Sequence, residues 1–353
     1  MARSSQPPFT LGDEVIEAGS RRTLELPMGS LITHTELHMP VHVVHGRHPG
    51  PRLFVSAAIH GDELNGIEIV RRLLTTPQVR RLRGTLIAVP MVNIHGVIQH
   101  SRYLPDRRDL NRVFPGSPGG SLAGRLAHLF IEKIVRHCSY GIDLHTGAIH
   151  RSNLPQIRAN LDDPETERLA RAFGTPVMIN SALRDGSLRA VAAELGITML
   201  LYEAGEGLRF DELSIRAGVR GVLQVMRELE MLPYSRRSAR QAVEPFVASA
   251  SSWTRAPESG IMRTLKQLGS RVKEDEALAL IADPFGENEV PVLAHQEGIV
   301  IGRTNLPLVN AGDALFHIAR FSKPSRVATE VEAFQDAHQE SDPVDNVFDP
   351  PIV

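Results

Sequence analysis

Three short segments combine residue types that can do chemistry together: His60-Gly-Asp-Glu63, Asp143-Leu-His145-Thr-Gly, and Glu203 within Leu-Leu-Tyr-Glu-Ala-Gly-Glu-Gly. A His-x-x-Glu pair on a turn aims an imidazole nitrogen and a carboxylate oxygen at one point, and both are good ligands for zinc. Alone, such a four-residue match is as readily a charged turn capping a helix, so a third ligand is needed. His145 supplies one. Two His and one Glu leave a coordination position open, which is the catalytic pattern for zinc, and the absence of a Cys cluster agrees with it. A hydrolytic zinc needs a base nearby, and Glu203, at the end of another apolar run, is the candidate. Glu206 is the local competitor; it lies past the run in a glycine turn and reads as a supporting or surface group.

A fourth segment is Ser101-Arg-Tyr-Leu-Pro-Asp-Arg-Arg-Asp-Leu-Asn-Arg-Val-Phe-Pro-Gly116. Charge-rich loops are most often solvated. Guanidinium forks, however, bind carboxylates bidentately and stay charged at neutral pH. The apolar Val113-Phe-Pro-Gly that follows pins the loop down, which makes Asn111 and Arg112 credible anchors for an anionic substrate.

These residues are brought together by a βα rhythm. Residues 52–59 form a short apolar run that fits a buried strand, and Ile67, Val70, Leu73 and Leu74 follow at helical spacing, so residues 60–66 are a strand-to-helix loop. Residues 85–92 read as a second strand. Residues 94–120 form a long irregular loop of the kind that is usually functional or disordered. Leu122, Leu126, Leu129, Phe130 and Ile134 mark a helix capped by Ser121. Strands at 140–144, 176–179 and 198–202, with a helix at 188–195, continue the alternation. Strands separated by helices imply an α/β fold, with a mostly parallel sheet covered on both faces. The carboxyl ends of such strands form the ligand crevice, where His60, Glu63, His145 and Glu203 can converge. Segments before residue 43, such as 33–42, fit edge strands.

After about residue 232 the rhythm changes. Residues 260–318 show short apolar alternations broken by Gly and Asn, and 268–281 and 308–318 look like two copies of one turn-and-strand unit, which suggests a pseudo-symmetric β-sandwich. Residues 325–353 carry seven Asp/Glu against one Arg, with few apolar side chains, and are expected to be a flexible acidic tail. The resulting division is 1–44, an N-terminal β segment; 45–240, a catalytic domain; 245–320, a β module; and 325–353, the tail.

Composition narrows the function classes. The chain has 353 residues, 42% hydrophobic, and a formal charge of −2, so nothing suggests the clustered cationic excess that favours nucleic acid or an anionic membrane. Its start lacks the flank and apolar run of a signal peptide, and no run approaches a membrane span, which leads to the expectation of a cytoplasmic protein. The single cysteine, Cys138, lies in an apolar-periodic stretch and reads as a small buried hydrophobe.

The ordered set His60-x-x-Glu63, Asp109-Leu-Asn-Arg112, Asp143-Leu-His145-Thr-Gly and Glu203 in Tyr-Glu-Ala-Gly resembles the succinylglutamate desuccinylase/aspartoacylase family, a branch of the zinc carboxypeptidase-like fold. The resemblance spans about residues 45–235, and four motifs in order are far more specific than any one. It implies a mixed or mostly parallel sheet flanked by helices and one Zn2+ per chain held by His60, Glu63 and His145. Glu203 is then the base and proton shuttle. By the same match Asn111 and Arg112 grip a substrate carboxylate, and Arg102 polarises the scissile carbonyl, with Arg107 and Arg108 as alternatives in a loop slightly longer than aspartoacylase's. Arg189, in Gly-Ser-Leu-Arg, matches a further pocket position. The β module resembles the biotinyl/lipoyl-type hammerhead, but its hairpin reads Ala282-Asp-Pro-Phe285 and holds no lysine for a carrier group. The reading is a zinc-dependent amidohydrolase acting on a small N-acylated amino acid, with a homo-oligomer compatible with the sequence. A carboxypeptidase of peptide C-termini and a non-catalytic binding homologue are the rivals.

Overall fold

The computed structural model describes residues 5–235 and 245–339. The boundary expected near 240 falls in residues that lie outside this description. Two short strands, β1 (Phe9–Leu11) and β2 (Glu14–Ile16), pair with each other and precede a long hairpin, β3 (Ser20–Ser30) and β4 (Glu36–His45). The alternating unit follows: β5 (Arg52–Ala57), α1 (Asn65–Thr75), β6 (Thr85–Val89), α2 (Ile94–Ile98), α3 (Leu122–Lys133), β7 (Tyr140–His145), β8 (Arg151–Ala159), α4 (Pro164–Phe173), β9 (Val177–Asn180), α5 (Leu188–Glu194), β10 (Thr198–Gly205) and α6 (Glu212–Glu228). The remaining strands are β11 (Phe246–Ala248), β12 (Ala250–Arg255), β13 (Gly260–Thr264), β14 (Arg271–Val272), β15 (Ala277–Ala282), β16 (Glu289–Leu293), β17 (Gly298–Thr304), β18 (Leu308–Val309) and β19 (Ala314–Arg320). A last helix, α7, spans Pro324–Gln339.

The main sheet runs β12-β19-β17-β8-β10-β7-β5-β6-β4-β3. Its centre is parallel: β6 pairs β5, β5 pairs β7 and β7 pairs β10 in the same direction, while β4 and β8 join antiparallel on either side. The central strands are buried on both faces, which explains their near-continuous apolar runs. One face carries α1, α4 and α6 through Ile69, Leu73, Phe173, Val222 and Met226; the other carries α3 and α5 through Leu126, Phe130, Leu188 and Val191. Ser121 caps α3 by accepting from Gly124 N, as its position before the apolar period implies. Cys138 is buried, and burial pushes its thiol up to about 12.

Three expectations need correction or extension. The hairpin strand β4 is not an edge, because it lies between β3 and β6; the edge is β3. Residues 324–339 do not form a flexible tail. Val327, Val331 and Phe334, spaced four and three apart, form one buried stripe of α7 that docks on the cores. The acidic residues between them made the segment look unable to bury anything, although one apolar side chain per turn suffices. Residues 340–353 of that expected tail lie outside the described residues. Third, the β-rich C-terminal strands are not a detached unit. β13, β15, β16 and β18 form a four-stranded sheet facing β12, β17 and β19 across a core that includes Leu278, Ile281, Phe316 and Ile318, but β17 also hydrogen-bonds β8 and β11 pairs β9. The module therefore shares a sheet with the catalytic strands.

The docked helix yields a stability test. Phe334 is 2% exposed, so Phe334→Ala should cost about 3–5 kcal/mol of unfolding free energy. Urea denaturation measures it; a loss below about 1 kcal/mol would contradict the docking.

Candidate active site

The carboxyl ends of β5, β7 and β10 gather the candidate residues at one end of the sheet. After β5 the chain turns through His60-Gly61-Asp62-Glu63, packed so closely on the next segment that a Cβ at Gly61 would lie 1.9 Å from the Gly96 carbonyl carbon. Only glycine permits that approach. His145 ends β7, and Glu203 stands directly beside it in the parallel register of β10. His60, Glu63 and His145 are buried, and their ligand atoms lie within 4.8 Å of one another.

The orientation of the two rings is specific. His60 Nδ1 meets Glu63 Oε1 at 2.7 Å and His145 Nδ1 meets Glu63 Oε2 at 2.7 Å. Their other nitrogens face carboxylates, His60 Nε2 to Asp109 Oδ1 at 3.1 Å and His145 Nε2 to Asp143 Oδ2 at 2.6 Å. Ser56 donates to the far oxygen of Asp143 at 2.7 Å and Thr146 N donates to Glu63 at 3.1 Å. Two imidazoles whose Nε2 atoms are held by acids and whose Nδ1 atoms converge with a carboxylate match the outer support that metal-binding histidines use.

The electrostatics point the same way. Burial opposes charging His60, but Glu63 and Asp109 outweigh it and hold its pKa above the usual imidazole range. His145 is held well above that range by Asp143 and Glu63 despite complete burial. Glu63 and Asp109 fall below the ordinary carboxylate range because the imidazoles, and for Asp109 also Arg102, overcome their desolvation. Burial and the Glu63 charge raise Asp62, whose Oδ1 is buried without a hydrogen-bond partner among the described residues. The acids thus hold protons on both imidazoles in this structure. A divalent cation placed between the Nδ1 atoms could take the place of those protons, so the residues present fit such an ion.

Arg102 reaches into this cluster, donating from Nη1 to Glu63 Oε1 at 3.2 Å and from Nη2 to Asp109 Oδ2 at 3.0 Å. Arg107 and Arg108 do not line the cavity: both are exposed, Arg107 at a left-handed φ of 62° and Arg108 facing Asp106. Asn111 and Arg112 do line it. Asn111 Oδ1 accepts from Leu188 N at 2.9 Å, which ties the loop to the start of α5 and leaves its amide NH2 as the donor. Burial lowers the pKa of Arg112; Asp109 opposes this, and neighbouring Arg184 and Arg102 add to it, so an anion there would relieve like-charge crowding. Arg189, on α5, lines the same cavity and donates to Ser181 O and Oγ, each at 3.1 Å.

His60, Glu63, His145, Arg102, Asn111, Arg112 and Arg189 face one cavity of about 870 Å³. Its lining contains six arginines, Arg102, Arg112, Arg151, Arg158, Arg184 and Arg189, against two acids, Glu63 and Glu203. Glu203 lines it; Glu206 does not, and instead accepts from His150 N at 3.1 Å and Asn305 Nδ2 at 2.8 Å, fixing the loop after His145. Sequence reasoning missed Arg151, Asn153 and Arg158, all on β8, a strand whose polar residues and Pro155 hid its character. Asn153 donates to Glu203 Oε1 at 2.8 Å, and Arg158 pairs with Oε2.

The succinylglutamate desuccinylase/aspartoacylase catalytic-domain pattern matches residues 49–229, just over half of the chain. The chain belongs to this family. It is 29% identical over 308 residues to an N-alpha-acetyl-L-2,4-diaminobutyric acid deacetylase of Halomonas elongata, covering 80% of this chain and 85% of that protein. Its fold is that of a succinylglutamate desuccinylase/aspartoacylase from Rhodobacter sphaeroides (24% identity, TM-score 0.74, 85% of this chain and 96% of that one). It is also that of the product-bound ectoine utilization protein EutE (DoeB) from Ruegeria pomeroyi (22% identity, TM-score 0.77, 91% of this chain and all of that one). In the family member described here, no helix among the described residues is long and apolar enough to cross a membrane.

The bond between Asn111 and α5 is testable. Asn111→Ala leaves the buried Leu188 N–H without its acceptor and should lower stability by about 1–3 kcal/mol, read by chemical denaturation. No measurable change would show that the loop is not anchored there.

Proposed function

We propose that this protein is a zinc-dependent deacylase that hydrolyses the amide bond of a small, anionic N-acyl amino acid. The observation that carries this reading is the convergence of the His60, Glu63 and His145 ligand atoms, the Glu203 carboxylate and an arginine-rich wall on one cavity. His60, Glu63 and His145 would hold one zinc ion per chain, which when bound supplies Lewis-acid polarisation of the carbonyl and acidification of the attacking water.

The chain's own residues do the rest. Arg112 and the Asn111 amide grip a substrate carboxylate, a charge-assisted contact that fixes the amide bond relative to Glu203. Arg102, close to the ligand cluster, faces the developing oxyanion with a charge that cannot be lost at neutral pH. Glu203 takes the proton from the attacking water and returns it to the leaving amine as the tetrahedral carbon collapses. Arg189, next to the Leu188 that bonds Asn111, adds a second site for negative charge. The deacetylase from Halomonas elongata supports the class of reaction, amide hydrolysis of an N-acylated amino acid. Its diaminobutyrate substrate carries an amine that a wall of six arginines does not favour, so the side chain of the substrate here is expected to differ.

A hydrolysis screen of the zinc-loaded protein over a panel of N-acyl amino acids, with peptides of increasing length as controls, tests the reading. Turnover is expected for acylated amino acids with a free carboxylate and not for longer peptides; preference for peptides would make the protein a carboxypeptidase. Glu203→Gln keeps the shape but cannot accept the proton, and kcat should fall at least ~10²-fold. Full activity in that variant would remove Glu203 from the mechanism.

A further inference from the structure

Both oxygens of Glu203 are held from one neighbouring strand. Asn153 Nδ2 donates to Oε1 at 2.8 Å and Arg158 pairs with Oε2. Asn153 is itself 7% exposed and sits where the β10–β8 register shifts between Glu203 and Gly205. Irregularities of this kind re-aim side chains beside active sites. On its other side β8 pairs with β17, and there the residue opposite Asn153 is Gly302.

Gly302 is not required by a left-handed backbone, although the β17–β19 register shifts between Val300 and Gly302. Its φ lies outside the left-handed region, and it stands inside a strand paired on both sides, to β8 and to β19. A glycine in that setting weakens the strand and marks a bulge or a close approach. The approach is visible: a Cβ at Gly302 would lie 2.8 Å from Asn153 Oδ1 and 3.2 Å from His317 Cβ. His317 is buried and stacked on Trp253 at 4.8 Å between ring centroids, so it cannot yield. The carboxamide of Asn153 is the group that would have to move, and it holds one oxygen of Glu203.

We propose that Asn153 is a positioning residue for the Glu203 carboxylate, and that Gly302, supplied by the β module, is the vacancy that lets Asn153 adopt its place. The module then contributes to the reaction through the sheet as well as through Trp253, which lines the cavity. Through β17 it sets the direction of the base two strands away. This rests on Glu203 being the base, and the test separates the two ideas.

The experiment compares Asn153→Ala, Gly302→Ala and the double variant, by kinetics on the best substrate of the N-acyl amino acid panel and by crystal structures. Each single change should lower kcat about tenfold or more with KM within about twofold, because misdirection of a reacting group affects turnover rather than binding. The double variant should be no worse than Asn153→Ala alone, since Gly302 acts only through Asn153. Bound zinc should stay at the wild-type level, because no ligand is touched. In the Gly302→Ala crystal structure the Asn153 amide should be withdrawn from Glu203 with β8 and β17 in place. Retention of the 2.8 Å bond in that structure, full kcat in Asn153→Ala, or additive losses in the double variant would each overturn the proposal. If Gly302→Ala alone does not fold, adding Asn153→Ala should restore folding by removing the clash partner; a double variant that also fails would equally overturn it. A wild-type protein without turnover on any substrate rejects the hydrolase reading, while the crystal structures still decide the coupling.

Discussion

The structure is organised around one buried carboxylate. Glu63 has 3% side-chain exposure and meets two imidazoles, a guanidinium and a backbone N–H. An ionised carboxylate so far from water is sustained only by compensating charge and hydrogen bonds. Each partner comes from a different part of the chain: His60 from the turn after β5, His145 from the end of β7, Arg102 from the long loop. The parallel pairing of β5 with β7, the close Gly61–Gly96 contact and the Asp109 clasp on Arg102 are all conditions for that compensation. The same demand makes the site receptive to a cation, which could take the place of the protons that the acids hold on the two imidazoles.

Charge is graded across the cavity. The floor around Glu63 pairs carboxylates with imidazoles and Arg102, and the wall formed by Arg112, Arg184 and Arg189 is positive. Arg189 loses pKa to burial and to Arg158, which leaves its charge undercompensated in the absence of an anion. On the proposed function, a substrate with a carboxylate at one end and a polarisable carbonyl at the other would fit this gradient in one orientation. Orientation would then be set by charge placement before any contact with the acyl group, and the arginine wall would select the substrate as well as bind it. The continuity of the sheet from β10 through β8 to β17 extends this design into the C-terminal strands, which hold the loop after His145 through Asn305 and Glu206.

Much of the site was legible because it lies at the ends of strongly patterned elements. The runs at 52–57, 140–145 and 198–205 are apolar enough to mark buried parallel strands, and His60, Glu63, His145 and Glu203 stand where those runs stop. Their common cavity follows from sheet topology. The supports were harder to find. β8 alternates Asn153, Pro155 and Ile157 with Leu154, Gln156 and Arg158, a mixture that satisfies neither a polar nor an apolar face, because part of it lines a polar cavity and part the core. α7 hides three apolar contacts among acids. Glu203 meets Asn153 fifty positions away, and no local spacing encodes such a contact. The roles of Arg102, Arg107 and Arg108 were inseparable in sequence because only the packing of the loop decides which guanidinium turns inward.

The central claim, that the Glu63 cluster is built to hold a catalytic cation, is tested most directly by anomalous diffraction at the zinc absorption edge from crystals of the zinc-loaded protein. The account predicts one strong peak per chain, bonded at about 2.0–2.2 Å to His60 Nδ1, His145 Nδ1 and a Glu63 oxygen, with Asp109 and Asp143 still on the opposite ring nitrogens. A peak outside this cluster, or no peak at full zinc loading, would contradict it.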